Sequence, residues 1–215
     1  SSYVESLHLE MRYPGIQGVG FSLRIPAAER DTHVAAIRAE GFPDYDLRPP
    51  GSREVYTSII YLEPFDWRNQ RAFGYDMFSE PVRNAAMGRA MDTGFATLSG
   101  RVRLVQETET DVQPGVLLYV PVYRNGAPID TALQRRDALV GWAYSPLRMR
   151  NLMAALFGEE LQDLVELIQF SIYDGESVAP QDLLYESTAA DAGASRFTAT
   201  QAIDLAGRTW TIHAR

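Results

Sequence analysis

Asp76 stands in the run WRNQRAFGYDMFSEPVRNAAMGRAMDTG, Trp67 to Gly94, with Phe73, Tyr75, Met77 and Phe78 around it. Apolar flanks predict burial, and a buried carboxylate needs donors. Two sources fit. Asp serves well as the cap of a turn or helix. Alternatively, a ligand N–H or O–H meets it in a charge-assisted hydrogen bond worth roughly 1.5–3 kcal/mol. Ser79, just before Glu80-Pro81, is the expected cap of the next helix, which leaves Asp76 spare.

Other candidates point to structure. Glu107-Thr108-Glu109-Thr110-Asp111 lacks the glycine and the spaced oxygens of a calcium loop and reads as a solvated connection. Gly15-Ile16-Gln17-Gly18-Val19-Gly20 has its glycines in the wrong order for a dinucleotide fingerprint and precedes a strand, so it reads as a turn into one. His8, His33 and His213 are scattered, with no metal-ligand spacing, so no metal site is expected. Ser79, Ser99 and Ser145 have no local base and no GxSxG elbow.

Composition removes more chemistry. The chain has 215 residues, 46% apolar, enough for a sizeable core of one large domain or two small ones. It has no Cys, and all 20 basic residues are Arg. Thiol nucleophiles, Schiff bases, P-loop phosphate sites and Ser-Lys pairs are therefore absent. The net charge of -8 argues against nucleic acid or an anionic membrane surface as the main partner. Its apolar runs, such as Gly115 to Val122, fall short of the ~18 residues that cross a bilayer. The opening Ser1-Ser2, without an initiator Met, predicts a piece of a longer chain.

The elements that must position Asp76 follow from periodicity. Tyr3 to Arg12 has helical spacing and reads as the end of a longer stalk. Strands are expected at Val19 to Ile25, Val55 to Leu62, Ala96 to Val105, Gly115 to Tyr123 and Leu139 to Tyr144, then at Val165 to Tyr173, Asp182 to Glu186, Phe197 to Leu205 and Thr209 to His213. Helices are expected at Ala27 to Gly41, at Trp67 to Phe73 ending on Gly74, after Ser79 with Val82, Ala86 and Ala90 on one face, and at Ser145 to Leu156. Ile129 to Ala138 reads as a connector. The sum is an α+β chain of two small antiparallel sheets in succession, breaking near 126–138.

Five motifs in order resemble the CHASE domain over roughly residues 3 to 144: Tyr13-Pro14-Gly15-Ile16-Gln17-Gly18-Val19-Gly20-Phe21; Gly74-Tyr75-Asp76-Met77; the helix with Arg83, Ala86, Ala90 and Gly94; Leu104-Val105-Gln106-Glu107; and Tyr119-Val120-Pro121-Val122-Tyr123. CHASE domains are extracytoplasmic sensor modules of membrane-bound histidine kinases and nucleotide cyclases, plant cytokinin receptors included. The resemblance implies a stalk helix (1–15), a membrane-distal PAS-like ligand-binding subdomain (16–137) and a membrane-proximal PAS-like subdomain (138–215). It also implies a homodimer through the stalk, flanking membrane anchors, a periplasmic location and no cofactor. By the same resemblance Asp76 reads an adenine-like ring, the main chain of Leu98 meets the same ring, and Phe73, Met77, Val120 and Gly141 line the pocket. The Ser99-Gly100-Arg101-Val102 stretch departs from the plant pattern and leaves the ligand open. The alternatives are a dimerisation module without a ligand, and an enzyme with an unrecognised site.

Overall fold

The computed structural model describes residues 15–158, 168–187 and 198–215, and the expected stalk helix lies outside them. The first sheet is built from β1 (Val19–Pro26), β2 (Val55–Glu63), β3 (Thr97–Leu98), β4 (Gly115–Tyr123) and β5 (Leu139–Arg148), in the order β2-β1-β5-β4-β3. The second is built from β6 (Phe170–Asp174), β7 (Leu183–Glu186), β8 (Ala199–Leu205) and β9 (Arg208–Ala214), in the order β7-β6-β9-β8. All pairings within both sheets are antiparallel. Helices α1 (Arg30–Ala39), α2 (Pro81–Thr93), α3 (Ala132–Ala138) and α4 (Met149–Phe157) complete the α+β arrangement.

Alternation along the strands sorts side chains to two faces. Trp142 and Tyr144 of β5 share a face with Tyr119 of β4 and with Gly20 and Ser22 of β1. Across it runs α2, which buries Arg83, Ala86, Met87 and Ala90, a helical i, i+3, i+4, i+7 stripe. Val82, expected on that stripe, is exposed instead. Trp142 is fully buried and its indole N–H donates to Met87 O at 3.0 Å, so the largest side chain of the core pins helix to sheet. Pro121 fits inside β4 because β3 is so short. Leu117 turns both its N–H and its C=O toward Ser99, so Pro121, four residues on, lacks its N–H on the same side, beyond the end of β3.

A second core joins the sheets: Leu98 and Val116 from the first, Met149 and Met153 from α4, and Ile172, Leu184 and Trp210 from the second. Polar contacts reinforce it. Asp174 receives Arg208 Nε at 2.6 Å, Arg208 Nη2 at 2.7 Å and the Arg101 N–H at 2.7 Å. The β8–β9 turn, with Ala206 and Gly207 at φ +45° and +72°, gives its carbonyls to the Leu98 N–H and to the Arg89 guanidinium.

Several expectations change here, and long-range contacts explain most of them. The strand expected over Ala96 to Val105 shrinks to β3, because Ser99 Oγ takes the Leu117 N–H and Arg101 swings to Asp174. The expected connector is α3, started by a capping box between Thr131 and Gln134. Ser145 to Arg148 extend β5 rather than opening a helix, since Leu118 to Gly115 pair with them; α4 begins at Met149. With β5 seated between β1 and β4, the division between sheets falls after Arg148 and not near 126–138. Trp67 to Phe73 holds only a 3-10 turn, Asn69–Ala72. The connection around Glu107 is solvated only in part: Glu109 and Thr110 are exposed, but Glu107 is buried against Arg148. Residues 165–167 and Phe197, expected in strands, lie outside the described residues.

Candidate functional site

Gly74 and Tyr75 extend the sheet past β2: Gly74 N–H donates to Ile59 O at 2.9 Å, and Ile59 N–H to Tyr75 O at 3.2 Å. On the far side Arg48 N–H donates to Gly74 O at 3.0 Å, and Asp76 N–H to Arg48 O at 2.6 Å. Pinned on both sides, the chain delivers Asp76 to the β2 edge. Its Oδ1 accepts from Thr57 N (3.0 Å), Thr57 Oγ1 (2.9 Å) and Phe78 N (3.2 Å). Asp76 is therefore the cap of the 3-10 turn Met77–Ser79. Glu80, not Ser79, caps α2, accepting from the N–H groups of Val82 and Arg83 at 3.0 Å each, while Ser79 Oγ donates to Asp76 O.

The cap occupies only half of the carboxylate. Asp76 is fully buried, and its Oδ2 has no hydrogen bond. Arg53 Nη1 stands 3.5 Å from it, within ion-pair range, but donates to Pro49 O and Gly51 O. Ser22 Oγ and Tyr144 OH, on the sheet face that α2 covers, are also buried without partners. They lie on the adjacent strands β1 and β5: a Cβ on Gly20 would fall 2.5 Å from the Tyr144 ring, and Ser22 follows Gly20 on the same face. Thr57, which holds Asp76, stands opposite Arg24, next on that face. Unsatisfied buried polar atoms are uncommon, so each of these three calls for a partner.

Burial pushes the Asp76 carboxyl above its ordinary range, opposed by the hydrogen bonds from Thr57, by Arg53 and by the Phe78 N–H. An acid whose folded pKa is raised binds protons that the unfolded chain has released, so it lowers stability as pH rises between the unfolded and folded values. The stability of the protein minus that of Asp76→Asn is expected to fall with pH above ~3.9 and then level off. Urea unfolding at a series of pH values measures it; a difference that rises with pH contradicts the assignment.

The other expected site residues do not gather around Asp76. Met77 is close by, its sulfur accepting from Tyr119 OH at 3.3 Å in the main core. Phe73 turns into a separate aromatic groove with Phe42, Tyr45 and Phe65. Leu98 lies in the opposite edge strand, four strand spacings of about 4.8 Å away, with its N–H bonded to Ala206 O. Val120 and Gly141 sit on the sheet face turned away from Trp142 and Tyr144. Thr57, Arg53, Ser22 and Tyr144 were not singled out in the sequence, though Ser22 and Thr57 interrupt apolar strands and so carried a signal. Of the histidines, His33 Nε2 meets Tyr45 OH at 2.7 Å, His213 Nδ1 meets Thr200 Oγ1 at 3.0 Å, and His8 lies outside the described residues.

Two antiparallel sheets in tandem, with helical cover and a buried acid at the edge of the first, have the layout of a sensory module of PAS-like subdomains. The chain belongs to the CHASE domain family, which it matches over residues 1–185. It is thus an extracytoplasmic sensor domain of a membrane signalling receptor, and not a catalytic domain. No curated protein matches it.

Proposed function

We propose that this CHASE domain senses a small planar molecule whose N–H or O–H group donates to Asp76 Oδ2. The carrying observation is the fully buried carboxylate with one oxygen satisfied and the other unbonded. Ser22 and Tyr144 present further unpartnered hydroxyls on the sheet face that α2 covers. An adenine ring suits such a set because its edge presents both donors and acceptors. Asp76 precedes α2, and Arg89 near the end of α2 holds the β8–β9 turn of the second sheet, so a shift at the ligand reaches the membrane-proximal sheet through one helix. A periplasmic setting, a homodimer through residues 1–15 and an intracellular kinase or cyclase output complete the proposal. By this reading the ligand biases that output through unequal affinity for two states.

A competing reading, a dimerisation module without a ligand, draws on the dense packing of Met77, Met87, Tyr119 and Trp142 under α2. Thermal-shift screening with adenine, its N6-substituted derivatives and other small planar aromatics separates the two. A ligand held only by the native state raises the melting temperature, by about 2.7 kcal/mol of stability at 100 times its Kd. The sensor reading expects at least one donor-bearing compound to do so and to lose the effect in Asp76→Asn. A set of compounds that never moves the melting temperature favours the dimerisation module.

A further inference from the structure

A groove of about 550 Å³, within the usual range for ligand pockets, opens beside the Arg48–Gly74 pairing and has no part in the site above. Phe42, Phe65 and Phe73 line it with ring centroids 4.9 to 6.0 Å apart. The Phe65 ring stands at 86° and 79° to the other two. Phe42 and Phe65 are each more than a third exposed, a large apolar surface to leave in water. Part of its donor set is engaged within the protein. Arg48 Nη2 donates to Arg71 O and Phe73 O, Gln70 Nε2 donates to Phe65 O, and Tyr45 OH is shared with His33 and Ser58. Open beside these are exposed parts of the phenylalanine rings, whose faces carry a negative quadrupole, and the carboxylate of Asp44, which has no partner among the described residues. Asp46 adds a second carboxylate, shared with Arg30 and the Leu47 N–H.

An anion meets Asp44, and a neutral ligand leaves that carboxylate without a counter-charge. A cation with an apolar body fits both features. We propose that the groove is a second ligand site, one that takes a small organic cation, an alkylated or protonated amine held by cation–π contact with the phenylalanines and by the Asp44 carboxylate. Arg48 forms part of the wall, with its Nη2 turned to the carbonyls of Arg71 and Phe73.

Choline, its neutral isostere 3,3-dimethyl-1-butanol and the anion benzoate are the probes, titrated into the 215-residue chain with amide chemical shifts as the readout. Choline is expected to shift Phe42, Asp44, Phe65 and Phe73 saturably, and the isostere to bind about tenfold or more weakly, as loss of a partly desolvated cation–π contact implies. Asp44→Asn and Phe42→Leu, both at exposed positions, are each expected to weaken choline at least about threefold while preserving the fold. Asp76→Asn is expected to leave choline binding unchanged, which keeps this test separate from that of the buried site. Equal affinity for choline and the isostere, preference for benzoate, absence of a saturable choline response, or indifference to both groove variants overturns the proposal.

Discussion

Arg148→Ala is expected to cost about 3–5 kcal/mol of folding stability, a large share of the ~5–15 kcal/mol that holds a typical domain. Arg148 Nε lies 2.7 Å from Glu107 Oε1, and its Nη2 lies 2.7 Å from Asp111 Oδ2 and 2.8 Å from Asp111 O. The Glu107 side chain is 1% exposed and that of Arg148 is 7%. Removing the guanidinium strands a buried carboxylate, and that desolvation, more than any lost attraction, sets the cost. The pair ties the connection before β4 to the end of β5 and so keeps Ser145 to Arg148 in the strand. Asp111, held below the ordinary carboxyl range by its Arg148 hydrogen bond, contributes a smaller, largely exposed share. That share is present at neutral pH and lost as pH falls through its folded pKa. Urea unfolding of Arg148→Ala, Glu107→Gln and the double variant Arg148→Met/Glu107→Leu tests the account. The double variant is expected to recover most of the loss; a cost below about 1 kcal/mol for Arg148→Ala places the pair in water instead.

Gly74→Ala is expected to destabilise by about 2–4 kcal/mol and to displace Asp76. Gly74 adopts φ +82°, and a Cβ there would stand 2.5 Å from the Asp46 carbonyl oxygen and 3.3 Å from the Tyr45 ring. The first feature costs an L-residue about 1–2 kcal/mol. The second forces apart the Arg48 and Gly74 segments that hand Asp76 to β2. Gly126 separates the two effects, since it has φ +73° with nothing within 4 Å of its would-be Cβ. Gly126→Ala therefore measures the backbone cost alone. Gly74→Ala is expected to exceed it by at least about 1 kcal/mol; equal costs contradict the pinned geometry.

The strands that could be read from sequence are those whose own residues insist on them. Val55 to Leu62 and Gly115 to Tyr123 are dense in β-branched and aromatic residues, and both are observed as strands. The end of β5 was not legible because Ser145-Pro146 resembles a helix start, and what keeps it extended is far away: Leu117 and Leu118 across the ladder, and Glu107 on Arg148. The α2 boundary slipped by one residue because Glu80 caps as well as Ser79 would, and also pairs with Arg83 at 3.0 Å. α3 did carry a local signal, Thr131 three residues before Gln134, masked by its short, charged sequence.

Burial of Asp76 followed from its flanks, and so did the need for donors. Its cap role, through the Phe78 N–H two residues on, was one of the two sources expected, but its bond to Thr57 was not legible, since that main donor is 19 residues away on a strand whose register no local pattern specifies. The convergence of Asp76 with Leu98 came from the family pattern, and strand order sets the two on opposite edges of the sheet. Arg53 Nη1, and not Leu98, is the group 3.5 Å from the free oxygen, while the hydroxyls of Ser22 and Tyr144 interrupt otherwise apolar strand faces.

The central claim is that Asp76 Oδ2 receives a ligand donor. Calorimetric titration of the tightest compound from the thermal-shift set into the protein and into Asp76→Asn tests it most directly, because Asn keeps an acceptor for Thr57 and Phe78 while putting an NH2 where the free oxygen stood. The account predicts a loss of about 10- to 150-fold in affinity, the equivalent of one charged hydrogen bond of 1.5–3 kcal/mol, with the unfolding midpoint of the unliganded protein little changed. Equal affinity in the two proteins would contradict it.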